Sequence, residues 1–259
     1  MNSLTRAQWT GFYTIVRKEL VRVFRIWTQT LLPSVVTTTL YFLIFGGFIG
    51  SRIGKVHGVS YAQFIVPGLI MMSVITNAYA NVSSSFFGAK FQRNIEEMLI
   101  SPMCGMVIVW GFITGGVMRG CIVGLLVTLI SWFFAPLHIL HLGIVLVTIF
   151  LSATVFATLG FLNAMFARKF DDISIVPTFV LTPLIYLGGV FYSIQTLSPF
   201  FQTLSYFNPV IYLINLFRFG FLGFSDIPVG ASLVGLFLLS GVLLAISAHL
   251  LNRGIGMKN

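Results

Sequence analysis

The sequence predicts an all-α integral membrane protein. It is expected to have six transmembrane helices, an N-terminal interfacial amphipathic helix, short re-entrant helices between spans five and six, and both termini in the cytosol. Three observations predict this. First, only 8% of the 259 residues are charged and 57% are hydrophobic. Soluble domains carry about 25% charged residues, and a chain this poor in charge cannot cover a water-facing surface. Second, six apolar stretches are long enough to cross hydrocarbon. Third, Lys and Arg fall mostly on one side of those stretches.

A helix needs about 20 apolar residues to cross ~30 Å of hydrocarbon. The six candidate spans are 30–49, 64–84, 106–134, 142–167, 173–190 and 229–251. With the N-terminus inside, Arg6, Arg17, Lys18, Arg22, Arg25, Lys90, Arg93, Arg168, Lys169, Arg253 and Lys258 are cytosolic. Only Arg52, Lys55 and Arg218 lie outside, and Arg119 falls within a span. That asymmetry fixes the orientation. The net charge of +9 therefore reads as orientation and contact with lipid headgroups, not as nucleic-acid binding.

Ahead of the first span, Trp9, Phe12, Val16, Leu20, Val23 and Trp27 recur at helical spacing, with Lys18, Arg22, Arg25 and Gln29 on another face. This predicts an amphipathic helix over 9–28 lying on the inner leaflet. It serves either as a plain anchor or as a link to a cytosolic partner. No cleavable signal is expected, because basic residues are scattered through the first 28 positions with no compact apolar core. The cytosolic segment 85–105 contains GAKFQRNIEEMLISP, where two of the six acidic residues, Glu96 and Glu97, stand side by side. The outer segment 191–228 is apolar but is cut by Ser198-Pro199 and Asn208-Pro209 into pieces too short to span. Two short helices dipping into the outer leaflet fit it, with a surface-lying aromatic belt as the alternative.

Several chemistries have no residues to perform them. The one Gly-Lys pair, Gly54-Lys55, lacks the remaining residues of a phosphate-cradling loop, so no nucleotide site is expected. His138 and His141 lack a carboxylate or thiol nearby, so no metal is expected. No serine elbow or intramembrane aspartate pair supports hydrolysis, and adjacent Asp171 and Asp172 sit at a membrane edge. No acid falls inside a span, which disfavours a gradient-driven carrier. Cys104 and Cys121 read as small apolar residues, not as a disulfide. Arg119 is the one charge well inside a span. Gly111, Gly115, Gly116, Gly120 and Gly124 surround it with spacing that permits close helix packing. Arg119 either pairs with polar groups at a packed interface or faces a path or a substrate's anionic group.

Two stretches resemble the membrane subunit of a type-2 ATP-binding-cassette (ABC) transporter. In residues 181–218, Leu181, Leu184, Leu187, Gly188, Leu197, Ser198, Pro209, Tyr212 and Arg218 fit the family pattern, while Val210 departs from it slightly. Residues 60–102 are similar to bacterial permeases of the YadH and NodJ type, and the likeness covers essentially the whole chain. The resemblance implies a single membrane domain over 1–259, in which two permease chains pair with two separate ATPase subunits. ATP and Mg would bind only in those partners. It implies a coupling helix at Asn94, Ile95, Glu96, Glu97, Met98 and Leu99. The glutamates would meet basic or N–H groups of the ATPase, and Met98 and Leu99 would fill an apolar groove. Arg17, Arg22 and Arg25 would form the other side of the dock. Tyr192, Tyr206 and Tyr212, with Phe191, either line an outer exit or anchor the interface, and Arg218 has a path or packing role. The implied localisation is the bacterial inner membrane. The implied substrate is lipid-like, saccharide-linked or drug-like. A gradient-driven carrier and a non-transporting scaffold stand as alternatives.

Overall fold

The computed structural model describes residues 3–256. Lys258, counted above among the inner cations, lies outside the described residues. Twelve α-helices are found among the described residues, joined by short π and 3₁₀ segments. Helix α1 (Ser3–Arg25) is followed by a break at Ile26, whose φ of −111° and ψ of 32° are not helical. The helix expected over 9–28 thus ends at Arg25, and Trp27 and Gln29 belong to the next element. That element is continuous: α2 (Trp27–Tyr41), a π segment (Phe42–Ile49) and α3 (Gly50–Ile53). A two-residue hairpin, β1 (Lys55–Val56) against β2 (Val59–Ser60), then reverses the chain. Its turn residues His57 and Gly58 both have positive φ, as the right-handed strand twist requires.

Helix α4 (Tyr61–Phe91) starts with a capping box between Ser60 and Gln63 and runs through the centre of the molecule. It packs on α6 (Gly105–Phe134), α7 (Leu142–Phe166) and α11 (Pro209–Leu222). Small residues set these distances. Gly116 faces Val82 and the Ala78 carbonyl, Gly120 faces Ala78 and Ala153, and Gly160 lies directly against the Tyr79 backbone. Between α4 and α6 the chain makes a sharp turn through Arg93 (φ 61°) into the short α5 (Asn94–Ile100). At the C-terminal end of α7, the Lys90 ammonium donates to the carbonyls of Met165 and Ala167 at 2.7 and 2.9 Å. These are carbonyls that a helix end leaves without partners. Asp172 then accepts from the N–H groups of Arg168 and Lys169, which hold its carboxyl below the usual carboxylate range.

The stretch expected as span five is helical over 170–186. It comprises α8 (Phe170–Val176), a π segment (Pro177–Leu181) and α9 (Thr182–Tyr186). Pro177 and Pro183 lack the N–H groups that a regular ladder needs, and the hydrogen-bond register widens there. The stretch is about 26 Å long at 1.5 Å per residue. By length and composition five helices qualify as membrane spans, and this one does not. Gly189, at φ +80°, turns the chain, and Gly68 lets Val190 pack against the α4 backbone. Two short helices follow as expected. They are α10 (Pro199–Tyr206) and α11, each with proline in its first turn, and Asn208 caps Val210 N–H at 3.0 Å. A 3₁₀ turn (Ile194–Thr196) precedes them, and α12 (Val229–Asn252) ends the fold. Large apolar side chains such as Phe48, Phe133, Phe150 and Phe237 point outward from the long helices, the pattern of a surface solvated by lipid.

Candidate functional site

The short α5 is held from below and presents its upper side. Ile95 is 3% exposed, and Met98 packs against the chain's own core. Both were expected at a partner, but their side chains are instead the anchors that fix α5 to the membrane domain. Asn94, Glu96, Glu97, Leu99 and Ile100 are exposed, with Ile100 at 86%. The presented surface is therefore two carboxylates beside Leu99 and Ile100. Among the described residues neither glutamate forms an ion pair, and Lys90 is committed to the end of α7.

Helix α1 packs on the protein by a face that shares only Val23 with its predicted apolar stripe. Trp9 is 63% exposed, whereas Ile15, Glu19 and Val23, at i, i+4 and i+8, are the buried face. That face packs onto α6, where Gly111 receives Ile15 and Gly115 receives Glu19. The glycine run predicted for close packing thus serves two neighbours, α1 on one side and α4 with α7 on the other. Sequence reasoning missed Glu19, although its signal was available. It is an acid flanked at ±4 by aliphatics, facing a Gly-xxx-Gly pair. It is 0% exposed, accepts a short hydrogen bond from Ser85 Oγ, and pairs with Lys18 at 3.1 Å and Arg22 at 3.4 Å.

Arg22 is half-buried and reaches toward α4 while still lining the cleft that Arg17 and Arg25 line. It donates to the Asn81 carbonyl and to Asn81 Oδ1 at 2.8 Å each, and to Ser84 Oγ at 3.3 Å. Arg17 and Arg25 stay exposed. With Lys18 they line one wall of a cleft of about 650 Å³, and Gln92, Asn94 and Met98 line the other. The structure therefore brings Arg17 and Arg25 and the start of α5, the two halves expected of a dock, to one opening.

Deeper along α4 lies a second cleft of about 260 Å³ between α2 and α4. Arg119 is at its base. It is the fifteenth of the thirty residues of α6, and its Nη2 donates to Asn77 Oδ1 at 3.0 Å. Asn77 is positioned by its own donations to Ser34 Oγ and the Ser73 carbonyl. Arg119 thus pairs with a polar group, as one reading expected, and also lines an open cleft. Ser73, Asn77, Asn81 and Ser85 form an i, i+4 polar stripe that links the two clefts, and sequence reasoning passed over it.

The expected outer residues separate. Arg218 is 1% exposed, donates to the Gly189 carbonyl at 2.7 Å, and lies 4.0 Å from the centre of the Phe64 ring. It is a packing residue. Tyr212 is half-buried and donates to the carbonyl of exposed Tyr206 at 2.8 Å. Tyr192 is half-buried, and burial raises its phenol pKa. Phe191 joins Tyr41, Phe45 and Tyr186 in an aromatic cluster, where the Tyr41 and Tyr186 hydroxyls meet at 2.6 Å. Cys104 and Cys121 are free thiols.

Comparison with known proteins adds the family. Residues 10–222 match the family model described as ABC-2 type transporter. The chain is 56% identical over 251 residues to the inner membrane transport permease YadH of Escherichia coli (strain K12), covering 97% of this chain and 98% of that protein. It is 27% identical over 207 residues to nodulation protein J of Rhizobium leguminosarum bv. viciae, covering 78% of this chain and 80% of that one.

Proposed function

The chain belongs to the ABC-2 type transporter family, and from that membership we propose that it is the membrane-spanning permease of an ABC exporter, driven by ATP hydrolysis in a separate subunit. It is a transport permease of the inner membrane, as its relative's name indicates. On this reading two copies pair around the path and two ATPase subunits bind ATP and Mg. The 170–186 stretch completes a sixth crossing, α10 and α11 dip into the outer leaflet, and both termini are cytosolic. The substrate is lipid-like, saccharide-linked or drug-like.

The observation that supports this most directly is α5. It is a short, exposed helix whose backbone is pinned by buried Ile95 and by the turn at Arg93. A rigid element of this kind transmits displacement, where a solvated loop would absorb it. Glu96 and Glu97 offer charge-assisted hydrogen bonds and Leu99 and Ile100 an apolar contact, the mixture found at specific interfaces. Arg17 and Arg25 flank the same opening. The test is Glu96→Lys with Glu97→Lys, co-expressed with the cognate ATPase. The variant is expected to insert normally yet to lose co-purification with the ATPase and substrate-stimulated hydrolysis. Unchanged assembly and stimulation would falsify the coupling assignment.

A further inference from the structure

Arg119 sits at the midpoint of α6, where an ionised side chain is costly and normally comes with a partner. Its partners are insufficient. A guanidinium has five N–H donors. One reaches Asn77 Oδ1, a neutral acceptor, and Nε is buried with no acceptor at all. Among the described residues no carboxylate pairs with it. The only buried acid nearby in the α1–α4–α6 packing, Glu19, is already taken by Lys18 and Arg22.

The cleft above Arg119 sets hydroxyl and amide groups among its apolar walls of Pro33, Leu69 and Met72. Ser34, Thr37, Thr76 and Asn77 line it, and exposed Pro33, Thr37 and Ala80 form its mouth. An uncompensated cation, hydroxyl groups and an open mouth at mid-depth together make a site for a negative group.

We propose that this cleft receives the anionic group, phosphate or carboxylate, of an amphiphilic substrate whose acyl or other apolar part stays in the bilayer. The inference rests on the exporter reading and narrows its substrate class. An arriving oxyanion takes the donors that Asn77 leaves free, and the hydroxyls of Ser34, Thr37 and Thr76 complete its shell. Occupancy is thus favoured by charge and by the satisfaction of buried donors. Asn77 is a positioning residue, because it holds one edge of the guanidinium and leaves the other toward the cleft.

The experiment uses the purified full chain in neutral detergent, with no ATP and no partner. Three probes share one oleoyl chain: oleoyl lysophosphatidic acid, oleate and zwitterionic oleoyl lysophosphatidylcholine. Binding is read by native mass spectrometry. The unaltered chain is expected to bind one or both anionic probes about tenfold more tightly than the zwitterionic one, the worth of one charge-assisted hydrogen bond. Preference for the phosphate probe names a phospho-amphiphile, and equal preference or preference for oleate admits a carboxylate. Arg119→Gln is expected to remove the preference and Arg119→Lys to keep most of it. Arg17→Gln with Arg25→Gln should leave it intact. If Arg119→Gln does not fold, Asn77→Asp decides, since it supplies Arg119 with an internal counter-ion and should abolish the preference without removing the cation. The proposal is overturned if the unaltered chain shows no preference, if Asn77→Asp retains it, or if it follows Arg17 and Arg25 instead. Because no ATPase is present, failure here leaves the coupling assignment standing, and failure of that assignment leaves this result untouched.

Discussion

Arg22→Ala should destabilise the protein far more than Glu19→Gln, and adding the second change to the first should restore stability. Glu19 is fully buried, and Arg22, at 3.4 Å, is the only partner of its Oε2. Lys18 is 42% exposed, so its contribution is small. At an effective permittivity of about 20, two charges at 3.4 Å attract by about 5 kcal/mol. Desolvation of the carboxylate consumes much of that. Removing Arg22 loses the attraction, keeps the desolvation, and breaks the bonds to Asn81 and Ser84, a cost of about 4 kcal/mol. Glu19→Gln loses the attraction but also removes the buried charge, and Arg22 keeps Asn81 and Ser84, so the cost is about 1 kcal/mol. In the double variant no uncompensated carboxylate remains, and about 2 kcal/mol returns. For a chain of this size each kcal/mol moves the midpoint by about 2–4 °C. Thermal unfolding in detergent, followed by size-exclusion recovery, should therefore place Arg22→Ala about 10 °C below the unaltered protein and the double variant about 6 °C above Arg22→Ala. A double variant that unfolds at or below the Arg22→Ala temperature refutes the reasoning.

Two further outcomes follow from the packing. Gly160→Ala places a Cβ on the Tyr79 carbonyl in the α4–α7 contact. It should cost about 1–3 kcal/mol and lower monodisperse yield, whereas Gly241→Ala on α12, with nothing within 4 Å, should behave as unaltered; equal recovery of the two variants sinks the argument. Arg218→Gln removes the bond to Gly189 and the ring contact with Phe64, and should lower the unfolding midpoint by about 5–10 °C while leaving binding of the oleoyl probes at Arg119 unchanged.

Much of this architecture was legible because lipid imposes a coarse rule. Long apolar runs must become helices that satisfy their own backbone, so 64–84, 106–134, 142–167 and 229–251 were found within a few residues of α4, α6, α7 and α12. Pro199 and Pro209 announced α10 and α11 for a local reason, the fixed φ of proline at a first helical position. What escaped was side-chain direction. The stripe read on α1 favoured Trp9 and Phe12, because hydrophobicity alone was scored. The packed face instead carries Glu19, which is admissible only because Gly115 opens space for it and Arg22 and Ser85 satisfy it. Periodicity cannot report a partner on another helix. For the same reason Ile95 and Met98 read as contacts for a second protein, although the turn at Arg93 directs them back into their own. The fifth span was expected over 173–190 and its helix runs over 170–186, because the turn at Gly189 sits inside an apolar run that hydropathy treats as continuous.

The same contacts decide how a push on α5 would travel. Ile95 and Met98 fix α5 to the core at the C-terminal end of α4, and Arg22 ties α1 to Asn81 and Ser84 on that same helix. Both sides of the proposed dock are therefore fastened to α4, and Gln8 of α1 also binds the segment that leaves α5, donating to the Pro102 carbonyl at 2.8 Å and accepting from the Cys104 N–H at 2.9 Å. Four residues before Asn81, one helical turn deeper, Asn77 holds the Arg119 guanidinium. The α4–α7 contact is backbone-close at Gly160 and cannot compress, so displacement of α4 is taken up on its looser side, where the cleft separates it from α2. On the proposed reading, a movement at the dock would therefore be expected to change the width of the Arg119 cleft. On the proposed reading, coupling and anion binding share one helix, and Asn81→Ala with Ser84→Ala, which removes both side-chain acceptors of Arg22 and leaves it only the Asn81 carbonyl on α4 without touching Asn77, should weaken ATPase stimulation while leaving the anionic preference of the isolated chain in place.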